Sequence, residues 1–175
     1  MDTIVLDDFV SDDFVYHTYK FLDNLPWAYQ STANRNEFGV GDFRSFGINF
    51  LPMWEQLQQE ENNLALLLQI VSKHLNIKGE LKGIHANLQV YGQDSSWHRD
   101  NYGEGDTNAI LYYATMRWRT EWGGNLEIKE NNDIRSYEYV PGRIIYMDGT
   151  KEHKANGPLV KNRGRISVVY SISKE

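Results

Sequence analysis

The residues of this chain best suited to chemistry are two histidines and one aspartate. His98 and Asp100 stand two positions apart, and His153 follows much later in the sequence. Because side chains alternate along a strand, His98 and Asp100 would point to the same side of one. Two histidines and one carboxylate on one face of an octahedron are a common donor set for non-haem Fe(II), with three positions left open. The spacing therefore indicates a metal site whose third ligand comes from another strand.

His153 is the candidate for that third ligand, since it follows soon after the predicted strand Arg143–Met147. The other histidines lack such a setting. His17 and His74 fall within helical runs, and His85 lies in a predicted strand among apolar neighbours. A metal needs converging ligands, so these three histidines are interpreted as structural or solvent-facing residues.

A second chemical feature lies downstream, in the run Arg163-Gly164-Arg165-Ile166-Ser167. In a strand Arg165 and Ser167 face the same way, so a guanidinium and a hydroxyl would lie side by side. Arginine binds a carboxylate through two parallel hydrogen bonds, and serine adds a third donor. The pair predicts a site for the distal carboxylate of a dicarboxylic acid. Arg163 has the same parity and is the alternative to Arg165.

Two kinds of secondary structure must position these side chains. In the first half, Ser11 followed by Asp12 and Asp13 predicts a helix start. Apolar residues at helical spacing run to Leu25, where Pro26 ends the helix, and a second helical segment is predicted from Met53 to Leu75. After Gly79 short apolar or alternating runs are separated by turn residues. Such a pattern favours a sandwich or a double-stranded barrel, with the helices on one outer face. Ile4–Leu6 is predicted as a short strand in the first half. The strands predicted after Gly79 are Ile84–Tyr91, Ala109–Ala114, Asn125–Ile128, Ser136–Val140, Arg143–Met147 and Ile166–Ile172.

Residues 31–47 are polar and contain several glycines, which predicts a long loop. The loop also carries Arg35, Phe38, Phe43 and Arg44. A pliable segment with such side chains is interpreted as a lid that closes over the metal pocket. The alternative is a surface loop without that role.

Size and composition limit the possible classes. The 175 residues predict a single domain over residues 1–175. The absence of cysteine excludes disulfides, thiolate catalysis and Cys-ligated metals. There is no apolar run near the roughly 18 residues of a membrane span, and no secretory signal is recognised, so no membrane association and a cytoplasmic location are expected. The net charge of −6 argues against a nucleic-acid partner.

The motifs taken in order resemble the 2-oxoglutarate/Fe(II)-dependent oxygenases, specifically the prolyl 4-hydroxylase-like group. The resemblance covers roughly residues 84–172. Its pieces, besides the metal and arginine motifs, are Asn87-Leu88-Gln89-Val90-Tyr91-Gly92, Leu111-Tyr112-Tyr113-Ala114, Trp118, Gly123-Gly124-Asn125-Leu126 and Pro141-Gly142-Arg143-Ile144-Ile145-Tyr146-Met147.

This resemblance implies an α+β fold with a double-stranded β-helix, or jelly-roll, core at residues 84–172. Helices within residues 1–80 would support the core on one face. It also implies a dioxygenase that uses Fe(II), 2-oxoglutarate and O2 to hydroxylate a C–H bond, in a prolyl residue of a protein or peptide. The open alternatives are an oxygenase acting on a small molecule or an alkylated nucleobase, and a non-catalytic metal-binding jelly roll.

The resemblance further implies roles for individual residues. The iron ligands would be the two histidines and the aspartate of the predicted metal site. The distal carboxylate of 2-oxoglutarate would meet Arg165, Ser167 and the phenol of Tyr113. Tyr91 would lie near the other end of the co-substrate.

Trp118 and Leu126 match positions that wall the pocket in this group. The chain departs from the usual pattern in three places, one of which is a slightly longer interval from His153 to Arg165 that keeps Arg163 as an alternative. The turn before His98 is shorter, and Val169 and Ser171 stand where many prolyl hydroxylases place a tryptophan.

Overall fold

A computed structural model of the chain describes residues 1–31, 44–100 and 106–174. Within these ranges three helices and ten strands alternate along the chain. In order they are β1 (Ile4–Leu6), α1 (Asp12–Asp23), β2 (Ala28–Ser31), β3 (Arg44–Asn49), α2 (Trp54–Gln59), α3 (Asn63–Leu75), β4 (Leu81–Gln89), β5 (Thr107–Tyr113), β6 (Leu126–Glu130), β7 (Asp133–Tyr137), β8 (Ile144–Asp148), β9 (His153–Ala155) and β10 (Arg165–Ser173). Short 3-10 turns lie at Leu51–Met53 and Thr120–Trp122.

The strands form two antiparallel sheets. The larger sheet has the order β1-β8-β5-β10-β4-β3-β2, and the smaller one has the order β7-β6-β9. Consecutive strands are often not neighbours, because the chain passes from one sheet to the other between β5 and β10. The predicted α+β fold with a jelly-roll core is confirmed.

The larger sheet separates two apolar cores. On its outer face, alternate residues such as Ile84 and Val168 pack against Leu22 of α1 and against Leu64 and Leu67 of α3. Burial of such side chains is worth about 1.5–3 kcal/mol each, so this contact fixes the predicted helices on one face of the sheet. The inner core lies between the two sheets and is built from the following residues: Ala109, Leu111, Tyr113, Leu126, Ile128, Tyr139, Ile145 and Met147.

The helix ends follow local signals. Ser11 caps α1, and its hydroxyl accepts a hydrogen bond from the Phe14 amide at 3.2 Å. Asn62 caps α3 through the Leu64 amide at 3.0 Å, which is why α2 and α3 are separate helices. Asn76 ends α3 in the left-handed conformation that asparagine tolerates. No helix in the described ranges has the length and apolarity needed to cross a membrane.

Residues 1–80 supply strands as well as the helical support predicted for them, and the short strand predicted at Ile4–Leu6 is present as β1. Three strands of this half, β1, β2 and β3, extend the larger sheet at its two edges. β3 overlaps the end of the predicted loop 31–47, which is wrong for residues 44–47, and pairs with β4, with Phe46 opposite Leu88. Its sequence has little strand character, so it depends on pairing with β4 and not on local propensity. Residues 32–43, which hold most of the predicted lid, lie outside the described residues.

The strand predicted at Ser136–Val140 is displaced toward the N-terminus, to β7. Asn131 and Asn132 both have positive φ values, and they form a two-residue hairpin turn that starts β7 at once. The alternating pattern could not reveal this register, because the residues of β7 are mostly exposed.

Candidate metal centre and its adjoining arginine

The three predicted ligands converge within the barrel. One ligand atom from each of His98, Asp100 and His153 lies within 4.8 Å of the others. His153 Nε2 is 3.6 Å from Asp100 Oδ2, and His98 Nε2 is 3.9 Å from Asp100 Oδ1. Two neutral imidazoles and one carboxylate at these separations can hold a divalent metal ion.

Main-chain pairing places these ligands. His98 and His153 form an isolated antiparallel bridge, in which each amide donates to the other's carbonyl at 2.9 and 2.8 Å. The Asp100 amide donates to the Gly149 carbonyl at 2.8 Å, one turn beyond β8. The short segment 98–100 is therefore hydrogen-bonded both to Gly149 and to His153 itself, which explains why ligands distant in sequence meet.

A hydrogen bond at Nδ1 orients each of the two imidazole rings. His98 Nδ1 lies 2.8 Å from the Ser96 carbonyl, and His153 Nδ1 lies 2.9 Å from the Lys151 carbonyl. A carbonyl oxygen can only accept, so each Nδ1 carries the proton. Each Nε2 therefore keeps its lone pair and faces Asp100. This is the arrangement that metal-binding histidines commonly show.

Burial lowers the pKa of His153, and nearby His98 lowers it further, while the Asp100 carboxylate acts in the opposite direction. The net direction favours the neutral imidazole. Only that form can donate a lone pair to a metal.

Arg165 lies at the start of β10 with its side chain fully buried. Its Nε donates to the Gly124 carbonyl at 2.7 Å, and its Nη1 donates to Gln89 Oε1 at 2.7 Å and to Ser167 Oγ at 3.1 Å. The guanidinium carbon is 5.2 Å from the ring centroids of both Tyr113 and Tyr139. A charged group in this setting needs a fixed partner, because burial of an unpaired ion is costly.

Gln89, Tyr113, Tyr139 and Ser167 surround Arg165 and form the arginine chamber. Within the described ranges two buried groups of this chamber, Arg165 Nη2 and the Tyr113 hydroxyl, make no hydrogen bond of normal geometry. Burial raises the pKa of Tyr113, while the charge of Arg165 and weaker polar contacts of the phenol with Arg165 and with the Leu126 backbone oppose the shift without reversing it, so the phenol keeps its proton. Unpaired buried donors carry a large desolvation cost. A carboxylate, which only accepts, is the complementary group.

Strand pairing and the contacts of Gln89 bring Arg165 near the strand that carries His153. Gln89, which binds Arg165, also donates to the Ala155 carbonyl at 3.0 Å. Ala155 and His153 are the two ends of β9, and two residues of strand span about 7 Å. One small ligand could therefore contact both regions.

Arg163, the alternative to Arg165, is exposed. Its guanidinium carbon lies 4.8 Å from the ring centroid of Trp122 at the surface. Tyr91 does not join the site either: its side chain is 53% exposed, and Lys161 Nζ lies 5.7 Å from its ring. Strand alternation made Arg163 an alternative to Arg165, but it does not apply there, because Arg163 precedes β10.

Trp118 and Leu126 pack in the inner core with Tyr113 and Tyr139. Trp118 donates from its indole to the Gly123 carbonyl at 2.8 Å, and its ring lies 4.7 Å from that of Tyr139. Gly124 has a positive φ, and a Cβ there would come within 3.2 Å of Arg165 Cδ. Glycine at this position therefore lets the backbone approach the guanidinium closely.

Sequence reasoning missed three residues of this region. Gln89 binds Arg165, and the only signal was its place on β4 directly opposite Arg165. Tyr139 stacks on Tyr113 with ring centroids 4.2 Å apart; it lies within the predicted strand Ser136–Val140, but no motif linked it to the arginine. His85, interpreted as structural, is half-buried on the inner face of the larger sheet, and the charge of Asp100 reaches it.

Comparison with known proteins supports the fold. No family model and no curated protein matches the sequence. Solved structures do match over almost the whole chain. A prolyl-4-hydroxylase of Pseudomonas putida has 17% identity and a TM-score of 0.66, covering 99% of this chain and 92% of the other. A prolyl hydroxylase of Trichoplax adhaerens, in complex with a hypoxia inducible factor peptide fragment, has 13% identity and a TM-score of 0.68, covering 98% and 83%.

A third similar structure is HygX of Streptomyces hygroscopicus, with nickel, 2-oxoglutarate and hygromycin B bound. It has 12% identity and a TM-score of 0.67, covering 98% of this chain and 82% of the other. The chain therefore has the fold of the 2-oxoglutarate/Fe(II) oxygenases, as its motifs predicted.

Proposed function

We propose that this protein is an oxygenase that uses Fe(II), 2-oxoglutarate and O2 to hydroxylate a C–H bond. The observation that carries the proposal is the pairing of two donor sets in one barrel: a metal triad, and a buried arginine with an unpartnered nitrogen. A barrel that only binds a metal needs the first set but has no use for the second. An enzyme that binds a metal and a dicarboxylic acid needs both.

His98, Asp100 and His153 would hold the iron. Their nitrogen and oxygen donors suit Fe(II), and three ligands leave positions open for the co-substrate and O2. The protons on both Nδ1 atoms and the depressed pKa of His153 keep the imidazoles ready to bind.

Arg165 would bind the distal carboxylate of 2-oxoglutarate through Nη2, with the Tyr113 hydroxyl as a second donor. An unpaired carboxylate in this buried chamber would cost several kcal/mol, and the guanidinium charge offsets that cost. Ser167 already accepts from Arg165, so its hydroxyl hydrogen is free for the same carboxylate. The surface position of Tyr91 gives no support to the role implied for it near the other end of the co-substrate.

When bound, Fe(II), 2-oxoglutarate and O2 supply the oxidation: 2-oxoglutarate gives succinate and CO2, and one oxygen atom enters the substrate C–H bond as a hydroxyl. The side chains bind, orient and exclude water. Tyr113, Tyr139 and Trp118 enclose the guanidinium, so its bond to a carboxylate would form away from solvent.

For the substrate, we place a prolyl residue of a protein or peptide first, because the resemblance is to the prolyl 4-hydroxylase-like group and two similar structures are prolyl hydroxylases. A small molecule is the second candidate, since HygX of the same fold was solved with hygromycin B bound. Ser171, at the inner face of β10, supplies a small polar group where many prolyl hydroxylases place a tryptophan, and this favours testing both classes.

The proposal is tested by succinate formation from 2-oxoglutarate with purified Fe(II)-loaded protein. We expect slow uncoupled turnover, and stimulation by one substrate class in a panel of proline-rich peptides, free amino acids, aminoglycosides and alkylated oligonucleotides. Mass spectrometry of the stimulating substrate should show a gain of one oxygen atom. Stimulation by a peptide without proline would overturn the prolyl assignment.

The non-catalytic alternative predicts a different result. A metal-binding jelly roll would bind Fe(II), but it would neither bind 2-oxoglutarate nor produce succinate. Titration of the anaerobic Fe(II) protein with 2-oxoglutarate, followed by its visible charge-transfer absorption, separates the two. Absence of that band at millimolar 2-oxoglutarate would reject the oxygenase.

A further inference from the structure

We infer that Gln89 is a positioning residue that sets the orientation of Arg165 for the dicarboxylate. Its other hydrogen bonds anchor it to the segments that bear the metal ligands. The inference rests on the proposed function, since it concerns the same co-substrate site. Gln89 ends β4 directly opposite Arg165, and its side chain is 1% exposed. It makes three side-chain hydrogen bonds, each to a different part of the chain.

The orientation of the Gln89 amide follows from its partners. Its nitrogen donates to the Gln93 carbonyl at 2.7 Å and to the Ala155 carbonyl at 3.0 Å. Both partners can only accept, so the amide nitrogen must face them. Its oxygen is then turned toward Arg165, where it accepts from Nη1 at 2.7 Å. Both amide hydrogens and the oxygen are used, so the side chain has one satisfied orientation.

With the Gln89 oxygen fixed on Nη1 of Arg165, the other terminal nitrogen, Nη2, is left for a ligand. The Gly124 carbonyl holds Nε, while Gln89 and Ser167 hold Nη1. Within the described ranges Nη2 has no partner. Gln89 therefore contributes to the choice of which nitrogen meets a ligand. Without it, the planar group could turn about its bonds and present another edge.

The other two bonds of Gln89 reach the metal side. Gln93 lies in the segment that leads to His98, and Ala155 ends the strand that begins with His153. The same two stretches are joined again by Ser95, whose amide donates to the Ala155 carbonyl at 2.8 Å and whose hydroxyl accepts from the Ala155 amide at 2.7 Å. Gln89 thus connects the arginine to both segments that bring histidines to the metal.

A glutamine that only filled the core would have different consequences from one that orients Arg165. Loss of a merely structural glutamine should lower stability, metal affinity and 2-oxoglutarate affinity together. Loss of a positioning glutamine should act on 2-oxoglutarate. It should also weaken the discrimination between 2-oxoglutarate and its one-carbon-longer homologue 2-oxoadipate, because that discrimination requires a fixed guanidinium.

The test uses the full-length protein with the variants Gln89→Met and Gln89→Glu. Methionine keeps the size but removes all three bonds. Glutamate would pair with Arg165 internally and compete with the ligand's carboxylate. We expect the Kd of the anaerobic Fe(II) protein for 2-oxoglutarate to rise about 10-fold in the first variant, equivalent to about 1.4 kcal/mol. In the second it should rise about 100-fold.

The matched control is Ser95→Ala, which removes a hydroxyl from the same network without touching the guanidinium. It should leave the Kd for 2-oxoglutarate and the 2-oxoadipate ratio within about twofold of wild type. Mn(II) affinity, measured by calorimetry, should stay within about threefold of wild type in Gln89→Met. The uncoupled reaction of this variant should show a raised KM for 2-oxoglutarate and little change in kcat.

Each other outcome overturns the inference in a recognisable way. An unchanged Kd and ratio in Gln89→Met, with Arg165→Met unable to bind, would leave the proposed function standing and remove Gln89 from it. Equal losses of Mn(II) and 2-oxoglutarate affinity would assign Gln89 a structural role only. Unchanged binding in Arg165→Met would reject the proposed function itself. If Gln89→Met does not fold, Gln89→Asn replaces it, since the shorter amide can reach the carbonyls or the guanidinium but not both.

Discussion

The candidate site has a metal half, formed by His98, Asp100 and His153, and an arginine half, formed by Arg165 and its hydrogen-bond partners. The two halves are positioned by different kinds of interaction. The metal ligands are placed by main-chain bonds, between His98 and His153 and between Asp100 and Gly149. The arginine is placed largely by side chains, because Gln89 and Ser167 hold one of its terminal nitrogens. Only the bond from its Nε goes to a carbonyl.

This difference has a physical consequence. A main-chain bridge forms whatever the neighbouring side chains are, so the metal half should tolerate substitutions around it and depend only on its ligands. A guanidinium held by side chains in a buried chamber loses its orientation when any partner is removed. Metal affinity should therefore fall sharply only when a ligand is lost. Affinity for 2-oxoglutarate should fall by a separate amount for each partner of Arg165 that is removed.

The largest effect is expected from removal of a metal ligand. His98→Ala and Asp100→Ala should each abolish succinate formation and lower metal affinity by more than the roughly 100-fold that loss of an outer partner costs. Iron content by mass spectrometry and turnover measure both effects. The control is His74→Ala, because His74 lies in α3 against Phe9. Wild-type turnover in either ligand variant would refute the metal assignment.

Next in size is Arg165→Ala. Loss of the guanidinium should weaken 2-oxoglutarate binding by about 100- to 1000-fold, equivalent to about 3–4 kcal/mol, and leave metal affinity nearly unchanged. Arg165→Lys should restore it only in part, since an ammonium cannot reproduce the planar fork. The exposed Arg163 provides the control, and Arg163→Ala should change the Kd little. A large loss in the control alone would reverse the assignment of the two arginines.

A buried carboxylate beside the metal half should contribute to the stability of the fold. Glu130 on β6 binds Lys151, whose carbonyl orients His153, and it also binds Thr3 and Tyr137. Burial by itself would raise the pKa of Glu130, but these hydrogen bonds outweigh it and lower the pKa from 4.5 to about 2. The ionised group should therefore stabilise the fold.

This contribution, about 3 kcal/mol, should be complete above pH 4.5 and should disappear as the pH falls from there toward 2. Urea unfolding of Glu130→Gln against wild type at several pH values measures it. Glu127→Gln is the matched control, since Glu127 is three residues earlier on the same strand and pairs with Lys154 at a partly exposed position. The control should lose less than about 1 kcal/mol. A pH-independent difference for Glu130→Gln would contradict the assigned role.

The smallest effect is expected from Ser167→Ala. Its uncharged hydroxyl accepts one hydrogen bond from the Arg165 guanidinium, at 3.1 Å, so its loss should weaken 2-oxoglutarate binding about 3- to 10-fold, in line with about 0.5–1.5 kcal/mol per hydrogen bond. Ser171→Ala is the control on the same strand and face, because the Ser171 hydroxyl has no partner within the described ranges. Equal losses in both variants would point to general loosening of β10.

Much of the fold could be predicted because its signals are local. The N-cap at Ser11, the alternation in β4, β5 and β10, and the turns between strands all depend on neighbouring residues. β3 could not be predicted in this way. Its strand form depends on pairing with β4, and the same local sequence is compatible with a loop.

The sequence by itself determined which chemical groups are present and which of them share a face. The spacing of His98 and Asp100 and that of Arg165 and Ser167 are local facts, because strand alternation has a fixed period of two. Tertiary structure alone decided that Arg165 is buried while Arg163 is exposed, that Tyr91 lies at the surface, and that Gln89 meets the guanidinium. Burial and contact depend on which distant elements pack together, and no local pattern encodes that choice.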